Sequence, residues 1–184
     1  MAQQDWLVGD NRRRLAVRRI IDGAADLIAR DGIDAVDIDA IAESVGCSRA
    51  TVYRYVGGKS ALADAVLADA GARIAEDVAR QVKPLDGAER VVVAMTASLA
   101  AVRSDRVAGQ MIDRITPKTV TRMLIGSREL TSIAKELTGM ADDPLAAQWI
   151  VRVVLSFLFW PAADDAIERR IIERFVAESF RTEA

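Results

Sequence analysis

Between residues 48 and 59 the chain sets Ser48, Arg49, Ala50, Thr51, Tyr53, Arg54, Tyr55 and Lys59 close together, with no acid among them. Guanidinium, ammonium and hydroxyl groups at that density are donors looking for anionic oxygen. Arg can take guanine bidentately in a major groove, while Thr, Tyr and Lys can hold phosphates. Small Ala50 would let a base edge come close. The chemistry on offer is recognition of a polyanion, not bond making. Further cations, Arg12, Arg13, Arg14, Arg18 and Arg19, fall within residues 12–19, again without an acid.

Catalytic alternatives are thin. The 184 residues include no His, which removes imidazole bases, His-based triads and His metal sites together. The single cysteine, Cys47, allows neither an internal disulfide nor a thiolate zinc site, as expected in a reducing cytoplasm. No cofactor or metal is expected. Gly57-Gly58-Lys59-Ser60 is like the end of a P-loop, but Tyr53 stands where the earlier glycine is required and no strand precedes it. Ser132 and Lys135 match Ser-x-x-Lys without the companion motifs. A helical enzyme is therefore the weakest of the readings.

The elements that must position these residues are helical. Ala occurs 32 times against 11 Gly and 4 Pro, and 51% of the chain is hydrophobic. Lys plus Arg is 25 and Asp plus Glu is 27, so total charge (−2) says nothing of nucleic acid and only its distribution does. The N-terminal residues lack the apolar run of a signal peptide, and no stretch is long enough for a membrane span.

Apolar spacing predicts a first helix over 11–31, stopped by Gly32. Its start would put the Arg12–Arg19 cluster near the positive end of the macrodipole, which points to an external anion such as DNA phosphate; the other reading is a solvated first turn in an Arg-rich chain. A short helix follows over 38–45, capped by Asp37, and then a turn at Gly46. Ser48 is the N-cap of a third short helix, from Arg49 to about Val56. Two short helices about a glycine-containing turn have the helix-turn-helix layout. A long helix runs from Lys59 to about Val82, with Leu62, Val66, Ala70, Ile74, Val78 and Val82 inward. Others are expected over 88–103 and 105–115, and one opens at Thr116 and Pro117 and ends near Gly139. The helix from Asp143 and Pro144 to Trp160 is apolar nearly all round and should be buried on several sides. The last starts at a capping-box-like Asp165 to Glu168, with Ile167, Ile171, Ile172, Phe175 and Val176 on one face and Glu168 on the other.

The string from Ile41 to Val56, followed by Gly58-Lys59-Ser60-Ala61-Leu62, resembles the DNA-binding domain of the TetR family of transcriptional regulators. The resemblance spans residues 15–62. Tyr55 stands where the family commonly has His, and Val56 where it commonly has Phe. The first departure touches one phosphate contact, the second only core packing.

The resemblance implies an all-α protein: a three-helix DNA-binding domain over 1–58, joined by the long helix to a ligand-binding and dimerisation bundle over 59–184. It implies a cytoplasmic repressor that binds a palindromic operator as a homodimer, through its last two helices, and is released by a small, mainly apolar effector. Ligand in the bundle would shift the fourth helix and spoil the spacing of the recognition helices. Met95, Met111, Trp149, Arg152 and Phe157 are the candidate lining, though such residues, with Met123, Phe159 and Trp160, are also ordinary core. Arg152, a charge on an apolar helix, should meet an acidic ligand or an acid across the bundle. The alternative is a helix-turn-helix protein whose C-terminal bundle only dimerises.

Overall fold

The computed structural model describes residues 5–32, 36–112, 128–140 and 142–180. Among the described residues the backbone forms helices and turns and no strand, an all-α fold. The order is α1 (Asp5–Asp31), α2 (Ile38–Val45), α3 (Arg49–Tyr55), α4 (Lys59–Val82), α5 (Gly87–Ser104), α6 (Arg106–Ile112), α7 (Arg128–Thr138), α8 (Pro144–Phe159) and α9 (Asp165–Ile171). A π-helical turn, Ile172–Val176, and a 3₁₀ turn, Ala177–Phe180, follow α9. The helix start expected at Thr116 and Pro117, with Met123, lies outside the described residues. The expected end of that segment is visible: α7 closes at Gly139, whose φ is +75°.

The chain divides into two compact units. One holds residues up to 70 together with 106–111, and the other holds 71–105 and the residues from 112 on. The division falls inside α4.

In the first unit α1 begins at Asp5, well before the expected start at residue 11. Arg12, Arg13 and Arg14 therefore lie beyond the first turn, where the free N–H groups and their partial charge are already spent. The dipole reason for an external anion there falls away. Two other cations of that cluster are held by the protein itself. Arg18 pairs with Asp22 at 3.0 Å and Asp69 at 2.6 Å, and Arg19 donates to the Val45 carbonyl at 3.3 Å. The core is aliphatic: Ile20, Ala24, Leu27 and Ile28 of α1 are buried, as are Ile38, Ile41 and Ala42 of α2, Val52 of α3, and Leu62, Val66 and Ala70 of α4. Gly23 lets α1 and α2 approach, since a Cβ there would lie 2.5 Å from Val45 Cγ1.

In the second unit α5 is central and packs against α7, α8 and the turns after α9. Its Val91, Val92, Met95 and Leu99 join Ile150, Phe157, Ile172 and Val176 in one buried cluster. Val78, Val82, Ala94 and Leu137 form a smaller one. Arg90 closes the end of α7, donating to the carbonyls of Leu137 (2.9 Å) and Glu136 (2.8 Å), two groups left free when a helix ends.

Three expectations about the C-terminal helices change. The N-cap of α9 is Asp164, which accepts from the Ile167 N–H at 2.7 Å, so the capping box at Asp165 does not form. Glu168 does not face solvent; it is 4% exposed and paired with Arg103. In the single chain α8 is not buried on several sides. Ala147, Ile150 and Phe157 are its buried residues, whereas Leu145 and the following Trp160 are each 74% exposed.

Candidate functional site

The helix-turn-helix is built by short-range chemistry. Asp37 caps α2, accepting from Asp39 N–H at 3.3 Å. Gly46 then takes φ +69°, a left-handed conformation that a Cβ would strain. The turn is fastened by Gly46 N–H to Glu43 O (3.1 Å) and Cys47 N–H to Ala42 O (2.8 Å). Ser48 caps α3: its Oγ accepts from Thr51 N–H at 3.2 Å and lies 2.9 Å from Thr51 Oγ1. Cys47 is half-buried in this turn, as a small packing residue would be.

Burial of Val52 against the core sets which way α3 faces. Ser48, Arg49, Ala50, Tyr53 and Arg54 are then exposed, while Thr51 and Tyr55 are half-buried. Lys59 opens α4 with its side chain exposed. The residues expected to meet nucleic acid thus share one short helix and the start of the next. Arg49 is not idle in this state. Its Nη1 donates to Asp39 Oδ2 on α2 at 3.0 Å, and its guanidinium lies 5.7 Å from the Tyr53 ring centroid. Arg54 sits 4.8 Å over the Tyr55 ring. These aromatic faces hold flat cations at a set height without using all of their donors. Asp39 is a residue that motif reasoning passed over; its signal was an acid in the first turn of α2, where it also suits the helix dipole.

The second unit contains a cavity of about 180 Å³. It lies among α4, α5, α7 and α8, and its described wall carries no charged side chain. Of the expected ligand set Met95 lines it. Phe157 is instead in the neighbouring core, and Trp149 packs on Phe180 with ring centroids 6.3 Å apart. Among the described residues Arg152 meets neither an acid nor the cavity: it is exposed and donates to Gln148 O, one turn back, at 3.1 Å. The reason is periodicity. Gln148, Arg152 and Ser156 form a stripe on the outer side of α8, whereas Ile150 and Val154 face inward. Met111 lies outside the residues whose side chains are described. Sequence reasoning missed Gly71 and Ser98 in the wall, although a glycine inside a long helix was a readable signal.

Among the described residues no cluster of His, Cys, Asp and Glu could hold a metal ion. No helix among them is long and apolar enough to cross a membrane.

Comparison with known proteins agrees with this geometry. The model for bacterial regulatory proteins of the tetR family matches residues 20–66, which take in the whole helix-turn-helix. An HTH-type transcriptional regulator of Mycobacterium tuberculosis is 31% identical over 183 residues, covering 96% of this chain and 90% of that protein. Among solved structures, the repressor QsdR of R. erythropolis, from the TetR family, superposes with a TM-score of 0.64 at 22% identity, over 93% of this chain and 98% of that one. RolR in complex with resorcinol gives 0.64 at 20% identity, over 95% and 92%. The chain belongs to the TetR family of bacterial transcriptional regulators, with a helix-turn-helix as its DNA-binding element.

Proposed function

We propose that the protein is a cytoplasmic repressor that binds a palindromic operator as a homodimer and releases it when a small, mainly apolar molecule enters the C-terminal bundle. The observation that carries the DNA half is the exposed face of α3, where Arg49, Tyr53 and Arg54 stand together beside Ala50. Arg49 and Arg54 would read base edges; Ser48, Thr51, Tyr53, Tyr55 and Lys59 would fix the backbone. Residues 1–58 would carry DNA binding, and residues 59–184 effector binding and dimerisation.

One helix-turn-helix reaches one half-site, so specific binding asks for two copies about 34 Å apart. Large apolar side chains exposed on α8 and beyond it (Leu145, Trp149, Trp160 and Phe175) support self-association through the last two helices. The cavity in the second unit favours sensing over dimerisation alone, because a bundle that only dimerised would gain stability by filling it. RolR bound to resorcinol is one protein of this fold that takes a small molecule. The helix α4, which has residues in both units, is the element through which occupancy would change the recognition-helix spacing.

The test is selection of DNA from a random pool by the full chain, followed by sedimentation of the complex. An inverted repeat bound by two chains is the expected result. A single non-repeated site bound by one chain would overturn the homodimer reading.

A further inference from the structure

Gly71 sits inside α4, far from either end, and its backbone is not left-handed. Such a glycine weakens a helix relative to almost any other residue. The usual structural reason is close approach of a neighbour, and among the described residues that reason is missing: a Cβ built there meets none of their heavy atoms within 4 Å. What Gly71 does border is the cavity. Its effect on the fold is therefore to keep room open.

The walls of that room say what would fill it. Where described they are apolar, with the Met95 thioether among aliphatic groups, apart from two hydroxyls, Ser98 and Thr138. Thr138 is already engaged, with its Oγ1 donating to Ala134 O at 2.6 Å. Ser98 makes no hydrogen bond among the described residues, although Thr96, two residues before it, bonds back to Val92 O at 2.9 Å. An ionised group entering here would lose its water and meet no opposite charge on the described wall. A volume of about 180 Å³ is slightly larger than an engineered apolar cavity that stays dry and binds benzene.

We infer that the effector is an uncharged molecule of about eight to ten non-hydrogen atoms, apolar except for one polar atom placed to meet Ser98 Oγ, in a space that Gly71 holds open. This rests on the effector reading above and narrows it to a chemical class, neutral molecules rather than carboxylates.

The probes are a matched set: 3-phenylpropan-1-ol, 3-phenylpropanoate and propylbenzene, titrated calorimetrically into the full chain. The alcohol should bind, and the carboxylate should bind about tenfold or more weakly. Ser98→Ala should weaken the alcohol about fivefold and leave propylbenzene unchanged. Gly71→Leu should abolish binding of both while helicity is kept and the melting temperature does not fall. Ala134→Leu fills the same space from α7 and covers the case in which the first variant folds poorly. The inference is overturned if the carboxylate binds as tightly as the alcohol, if neither neutral probe binds the native chain, or if both filled variants bind as the native chain does. An added operator fragment separates the two readings. Alcohol that binds without releasing DNA supports the cavity assignment and defeats effector control. Release by the carboxylate alone does the reverse.

Discussion

Arg103 and Glu168, 65 residues apart in the chain, meet in a two-pronged ion pair: Nη1 to Oε1 at 3.0 Å and Nη2 to Oε2 at 2.6 Å. Nη2 also donates to the Phe157 carbonyl at 3.1 Å. One guanidinium thus fastens α5 to α9 and to the last turn of α8. The hydrogen bond to Glu168 raises the Arg103 pKa further above its ordinary value, so the cation is permanent at any working pH.

Removing one partner of such a pair costs more than removing both, because a buried carboxylate is then left without a cation. Arg103→Met should destabilise the protein by about 3 kcal/mol in urea unfolding. Arg103→Met combined with Glu168→Leu should recover most of that loss. A double variant no more stable than the single one would show that the two side chains are not coupled.

That pair also marks where sequence reading ended. Caps and stops were legible because each is a local rule: Asp37, Gly46, Ser48, Asp143 and Gly139 act as their types predict. So was the inward row of α4, since a period near 3.6 is set by the helix itself. Glu168 read as a cap or a solvated acid because its partner lies far along the chain and nothing local points to it. The direction of Arg152 was illegible for a related reason: a charge on an apolar helix does not say which way it faces, and only packing decides that Ile150 turns inward and Arg152 outward. The start of α1 was misplaced because residues 5–10 carry no cap signal strong enough to extend the apolar pattern backward.

Gly23 sets opposed effects against each other. Ala is the better helix former by about 1 kcal/mol, so an isolated α1 would gain from Gly23→Ala. The new Cβ would however sit 2.5 Å from Val45 Cγ1, so either the Val45 rotamer or the spacing of α1 and α2 must shift. The clash should win, with a net loss of about 1–3 kcal/mol in thermal or chemical unfolding. Gly23→Ala with Val45→Ala should relieve it. Unchanged stability in the single variant would mean that α1 and α2 have slack at this point.

Arg49 has to leave Asp39 to reach a base edge, and both side chains are well exposed, so the exchange is easy. Arg49→Ala should weaken the preferred operator about 10- to 100-fold and relax specificity at one base pair. Asp39→Asn should do the opposite of sharpening: with the competing carboxylate gone, binding to random DNA should rise more than binding to the operator. Lys59→Ala should weaken all DNA alike and lower the slope of log affinity against log salt by about 1. Competition binding across a salt series measures all three. Equal losses on operator and random DNA for Arg49→Ala would reduce it to a phosphate contact.

Phe175 is 62% exposed in the single chain, with the Arg174 guanidinium 5.3 Å from its ring centroid. It lies in the π-helical turn whose Ile172 and Val176 are buried, so the turn points one large ring outward and two aliphatic groups in. Trp160, at the end of α8, is 74% exposed as well. Apolar surface of this kind is stable in water only as scattered single residues or as one half of an interface. If α8 and the segment from α9 onward form that interface about a two-fold axis, each ring meets the other copy. Phe175→Arg would then bury a charge with no partner and cost several kcal/mol of association. The variant should sediment as a monomer, lose operator affinity and keep its helical circular dichroism. Tryptophan emission gives a second readout, since Trp149 and Trp160 lie outside the cavity wall: it should move to longer wavelength in the variant as Trp160, 74% exposed in the single chain, stays in water. A Phe175→Arg chain that sediments as a dimer with native emission would place the two-fold contact on another surface.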